Sequence, residues 1–80
     1  MPAYLLHHTH EPAECAAAFA AWHGFDSPLR HSRVSSTCLA GGHTIWWRVT
    51  ARDPQEALAL LPRYVAERTD PVEVREIDIP

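Results

Sequence analysis

Most of the side chains in this sequence that can bind a transition metal lie in two short stretches: His7, His8 and His10 ahead of Cys15, and Cys38 ahead of His43. The 80 residues contain six histidines and two cysteines. Neutral imidazole and thiolate are the donors that zinc, copper and nickel favour. The pattern points to an ion held by His8, His10, Cys15, Cys38 and His43, or by a subset of them. A mixed nitrogen and sulfur set puts zinc first, with copper and nickel behind it.

Local patterning indicates the elements that must position these donors. Ala3 to Thr9 reads as a strand, and Glu11-Pro12 starts a helix with proline in its first turn. That helix is expected over Pro12 to His23, where Cys15, Phe19 and Trp22 recur at i, i+4 and i+7, with Gly24 as the stop. Asp26 to Ser32 reads as a loop. Val34 to Ala40 and His43 to Ala51 then read as a hairpin around Gly41-Gly42. In its second strand His43, Ile45, Trp47 and Val49 form the expected core face, opposite Thr44, Trp46, Arg48 and Thr50. Asp53-Pro54-Gln55-Glu56 starts a second helix reaching about Thr69, with a kink or break caused by Pro62. Val72 to Ile79 is the expected last strand, with a bulge near Arg75-Glu76.

The order is βαββαβ, and its halves echo one another. Glu11-Pro12-Ala13-Glu14-Cys15-Ala16 matches Asp53-Pro54-Gln55-Glu56-Ala57-Leu58 at an offset of 42. At that offset Thr50, Arg52 and Ala57 stand where the first half has His8, His10 and Cys15, so the helix start does not require the donors. This pseudo-repeat resembles the ferredoxin-like fold. The resemblance implies one α+β domain over residues 1–80, with an antiparallel four-stranded sheet of order 4-1-3-2 and two helices on one face.

In such a topology one edge gathers the end of the first strand, the start of the first helix, the end of the second strand and the start of the third. These carry His8 and His10, Cys15, Cys38, and His43. Strand alternation groups Tyr4, Leu6, His8 and His10 on one face and Leu5, His7 and Thr9 on the other. A single site under the helix requires the even-numbered set to face it; otherwise both cysteines separate from the histidine pair. Simpler readings compete. Cys15 and Cys38 each suit core packing, and His7, His23 and His31 suit a solvated surface. Glu14 suits the first turn of a helix, with an oxygen ligand or an outer partner of the metal as its other roles.

Composition bounds the partners. A net charge of −3, with seven arginines and no lysine, excludes a basic stripe for nucleic acid or an anionic membrane. Without a spanning apolar run or a secretory signal, the expected location is the cytoplasm, where thiols stay reduced. A chain this short buries little core, so a metal or a second subunit is expected to add stability. Trp46 with Tyr4 is expected to cover the open sheet face. In that respect the chain resembles the ferredoxin-like dimeric α+β barrels. The resemblance implies a homodimer through that face, with Arg48 paired to Glu73 or Glu76.

That group includes cofactor-free monooxygenases and isomerases with sites between sheet and helices, which gives an alternative function. A non-catalytic interaction module is a third. No catalytic residue is assigned. The chain departs from the copper chaperones in having no CxxC, and in its size, topology and His8-Thr9-His10 it is similar to small nickel-binding ferredoxin-like proteins.

Overall fold

The computed structural model describes all 80 residues. Its strands are β1 (Ala3–Thr9), β2 (Ser35–Ser36), β3 (Thr44–Thr50) and β4 (Thr69–Val74). Its α-helices are α1 (Cys15–Ala20), α2 (Pro54–Leu58) and α3 (Arg63–Ala66), with 3-10 turns at Pro12–Glu14 and Cys38–Ala40. The sheet order is β2-β3-β1-β4 and every pairing is antiparallel, which is 4-1-3-2 read in reverse. The architecture is α+β and compatible with a ferredoxin-like topology.

The core lies between one sheet face and the helices. Strand β1 is central, with Leu6 opposite Trp47 on one side and Pro71 on the other. Tyr4, Leu6, Ile45, Trp47, Val49 and Ala51 pack against Ala57, Leu61 and Val65. The even-numbered set of β1 therefore faces the helices, and β3 buries Ile45, Trp47 and Val49 as its alternation requires. Tyr4 is inside this core at 3% exposure, not on the open face. On the open face Trp46 stacks on His7 instead, with rings nearly parallel and 5.7 Å apart.

Several boundaries differ from the sequence expectation. The break expected near Pro62 divides the second helical region into α2 and α3, and α3 stops at Ala66, short of Thr69, giving three short helices in all. Pro62, extended at ψ 148°, occupies the N-cap position of α3, after α2 has ended at Leu58. The chain enters β4 at Thr69, ahead of the Val72 start. Pro71 is tolerated because β4 is an edge strand. That strand ends at Val74, opposite Ala3 at the start of β1, so residues 75–80 form neither strand nor bulge. In α1 the inward residue is Ala18; Phe19 is half exposed, and Trp22 packs on the core beyond the helix end. Gly24, at φ 72°, ends the turns that follow α1.

The hairpin is not a two-residue turn. It closes at Thr37 and Thr44, where the Thr37 N–H donates to the Thr44 carbonyl at 3.0 Å, and Cys38–Ala40 winds into a 3-10 turn. Gly41 supplies the left-handed residue at φ 86°, and a Cβ on Gly42 would collide with the Thr37 side chain.

The internal echo also shifts by one residue. The buried residues that match His8 and His10 are Val49 in β3 and Ala51 just past it, an offset of 41 and not 42. One extra residue between β3 and α2 absorbs the difference. Where the second half is apolar, the first half has two imidazoles.

Candidate metal centre

Three polar residues are buried in this protein, His8 (0% exposed), His10 (3%) and Thr69 (9%), and they form one chain of hydrogen bonds. Their position follows from the sheet. His8 lies on the helix-facing side of β1 with Thr69 of β4 directly across from it. The ladder continues one residue past β1, with the His10 N–H donating to the His43 carbonyl at 3.1 Å, so the His10 and His43 rings sit 5.3 Å apart. Cys15 opens α1 immediately after the Pro12–Glu14 turn. One ligand atom from each of His10, Cys15 and His43 lies within 4.8 Å of the other two, a group that could hold a metal ion.

The hydrogen bonds fix the tautomers. The Thr69 hydroxyl donates its single proton to the Val65 carbonyl at 2.7 Å, so towards His8 its oxygen can only accept. His8 Nδ1–H donates to Thr69 Oγ1 at 3.1 Å and to the Val65 carbonyl at 3.3 Å. His8 Nε2 then carries a lone pair and accepts from His10 Nδ1–H at 2.8 Å. The relay leaves a lone pair on His10 Nε2, aimed away from His8. His10 Nε2 and His43 Nδ1 are the two buried side-chain polar atoms of the molecule with no hydrogen-bond partner. A metal-bound imidazole whose other nitrogen donates to a fixed acceptor is the usual arrangement around protein metals.

Electrostatics keep the pair neutral. Burial, reinforced by the neighbouring His10, pushes the His8 imidazole below its ordinary value. Burial and the neighbouring His43 do the same to His10. Both are therefore in the unprotonated form that a metal requires. The unfolded chain takes up protons at a higher pH than the native one, so acid favours unfolding. The urea midpoint of the metal-free protein should be flat above neutrality and fall as pH drops below about 6.5. A double His8→Leu, His10→Leu variant should lose the part of that decline contributed by these two rings.

Glu14 is accounted for without a metal. Its Oε1 accepts from the Glu11 N–H at 2.8 Å, and its Oε2 pairs with the Arg68 guanidinium at 2.8 Å. The Glu11 N–H, followed by Arg68, holds its carboxyl below the usual range. Arg68 in turn lies 3.7 Å from the Tyr64 ring centroid and donates to the Tyr64 carbonyl. This clamp ties the turn before Cys15 to the segment that leads into Thr69.

Of the five residues expected at the site, three form the donor group. His8 acts on it through His10. Cys38 is outside the group: the 3-10 turn that replaces the end of the second strand packs it against the core. His7 points to the open face. Thr69 and the Val65 carbonyl escaped the sequence reading, although a buried histidine on a central strand needs a polar partner from a neighbouring element. Starting the last strand at Val72 concealed that partner.

The relay makes a specific prediction. His8→Leu removes the acceptor for His10 Nδ1–H and should weaken metal binding about 10–100-fold, the usual range for an outer-shell partner. His8→Gln restores a carbonyl acceptor and should recover part of the loss, as read by competition with a chromophoric chelator.

Fold and site together define a small α+β protein with a His/His/Cys donor group between sheet and helices. Comparison with protein-family models, curated proteins and solved structures finds no match.

Proposed function

We propose that this chain is a small transition-metal-binding protein that holds one ion between His10 Nε2, His43 Nδ1 and the Cys15 thiolate. The observation that supports this is the pair of unpartnered buried nitrogens, both on histidines of the one donor group. Leaving a buried polar atom unpaired costs about 1–3 kcal/mol. An ion between the rings would satisfy both atoms together.

Zinc suits the donors best, with copper and nickel next. Tetrahedral zinc at its usual bond lengths would draw the donors to separations of about 3.3–3.6 Å, a modest contraction from their present spacing. Rotation of the Cys15 side chain at the head of a short helix can supply much of it. Three protein donors leave one coordination position for water or an outside ligand, as in catalytic and carrier sites. The reading needs a compartment where Cys15 stays reduced, such as the cytoplasm.

The ferredoxin-like assignment and a homodimer through the face that carries Trp46 and His7 belong to the same proposal. Arg48 on that face pairs with Glu76 at 3.5 Å, both side chains at least half exposed, so this ion pair adds little to a lone chain.

Elemental analysis of untagged protein, purified without chelator, should find about one metal per chain. Cobalt(II) reconstitution should give the intense visible bands of four-coordinate cobalt with a thiolate charge-transfer band. Metal-free protein that also fails to take up cobalt would return His10, Cys15 and His43 to the role of core residues.

A further inference from the structure

Beside the donor group, on the same side of the sheet, lies a cleft of about 300 Å³. It exists because β2 has only two residues, so the helix-facing side of β3 is left to be covered by the turns after α1 and the loop that follows. Trp47 and Ile45 form its floor, Trp22 and Phe19 one wall, and Leu29 and Val34 the other. The loop wall is anchored: Ser27 Oγ donates to the Leu60 carbonyl at 2.7 Å and accepts from the Leu29 N–H at 3.2 Å. His31 in that loop holds a left-handed backbone at φ 66°, rare outside glycine.

The polar lining is one-sided. Arg30, His23, His31 and Ser32 ring the opening, and no carboxylate lines the cleft. Aromatic walls around an apolar floor accept a flat hydrophobic body, and a guanidinium beside imidazole and hydroxyl donors accepts a carboxylate. The volume is at the lower end for small-molecule sites, the size of a single ring system with a short side chain.

We propose that this cleft binds a small aromatic carboxylic acid, with the ring packed on Trp22 and Trp47, which meet at a tilted contact of 6.0 Å, and the carboxylate towards Arg30. The cleft is distinct from the metal group but shares a wall with it: Phe19 faces His10 edge-on at 6.3 Å, and Trp47 meets His8 at 6.0 Å. The proposal stands on the cleft alone and does not need a bound metal.

Tryptophan fluorescence and ligand-observed NMR, on metal-free and metal-loaded protein, would test it with benzoate, phenylacetate, 3-phenylpropionate and indole-3-acetate, each beside its neutral amide. At least one acid should bind saturably with a Kd below about 1 mM. Its amide should bind at least about tenfold more weakly, since the charge-assisted bonds are lost. Arg30→Gln should reduce the acid's affinity to that of the amide. Val34→Phe, at an exposed position, fills the cleft without disturbing the core and should abolish binding while the thermal midpoint is retained. Failure of all four acids to bind, equal affinity for acid and amide, or binding that survives Val34→Phe would each overturn the proposal. The metal reading would be untouched by any of these results.

Discussion

Removing the metal from the native protein should lower its stability by several kcal/mol. A ligand bound only by the folded state at 1,000 times its Kd contributes about 4 kcal/mol. In a domain of this size that corresponds to a fall in Tm of about 15–30 °C. The expectation comes from the relay. In the metal-free state, His10 Nε2 and His43 Nδ1 stay buried with nothing to bond to. Scanning calorimetry of the metal-loaded, EDTA-dialysed and reconstituted protein would check it. A midpoint that ignores the metal would mean that the donor group is preformed without binding anything.

The second large effect separates the two cysteines. Cys15→Ser removes a thiolate donor and should weaken zinc affinity by more than about 100-fold, beyond the loss of an outer-shell partner. His10→Ala should do the same. Cys38→Ser should leave affinity within about threefold of the parent, because Cys38 packs on the core and is not one of the three residues of the ligand group. Its cost should appear in stability instead, from placing a hydroxyl among apolar neighbours. Measuring both properties on the same three variants distinguishes a ligand from a packing residue. Equal loss of metal in Cys15→Ser and Cys38→Ser would contradict the geometry.

The contrast between the cysteines also shows what could be read from the sequence. Strand alternation in β1 is a period-2 signal, so His8 and His10 could be assigned to one face before any coordinates. The Glu11-Pro12 start likewise put Cys15 at the head of a helix, and the topology brought it towards the end of β1. Cys38 depended on the geometry of the hairpin, which was less legible. Gly41-Gly42 suggests a tight turn, but Gly41 ends a 3-10 turn and Gly42 gives way to Thr37. The second strand therefore stops at Ser36, and Cys38 is carried out of the ladder.

The last strand hid a different kind of information. Asp70-Pro71 resembles a helix stop because proline cannot donate to a ladder, yet an edge strand needs no donor on its outer side. With Thr69 moved into β4, the hydroxyl that orients His8 comes into view. The relay is a contact between residues 61 apart in sequence, and no local pattern announces it. The one-residue slip between the halves was hidden for the same reason. Only the strand bounds and their matching burial show that Val49 and Ala51 take the places of His8 and His10, which makes the imidazoles an addition to a scaffold that packs without them.

The most direct test is a crystal structure of zinc-loaded protein with anomalous data collected on both sides of the zinc edge. The expected result is one anomalous peak per chain, about 2.0–2.1 Å from His10 Nε2 and His43 Nδ1 and about 2.3 Å from Cys15 Sγ. His8 should still accept from His10 Nδ1. A peak on Cys38 or on the exposed histidines, or no peak in a crystal grown with zinc, would contradict the assignment of this buried group as the metal centre.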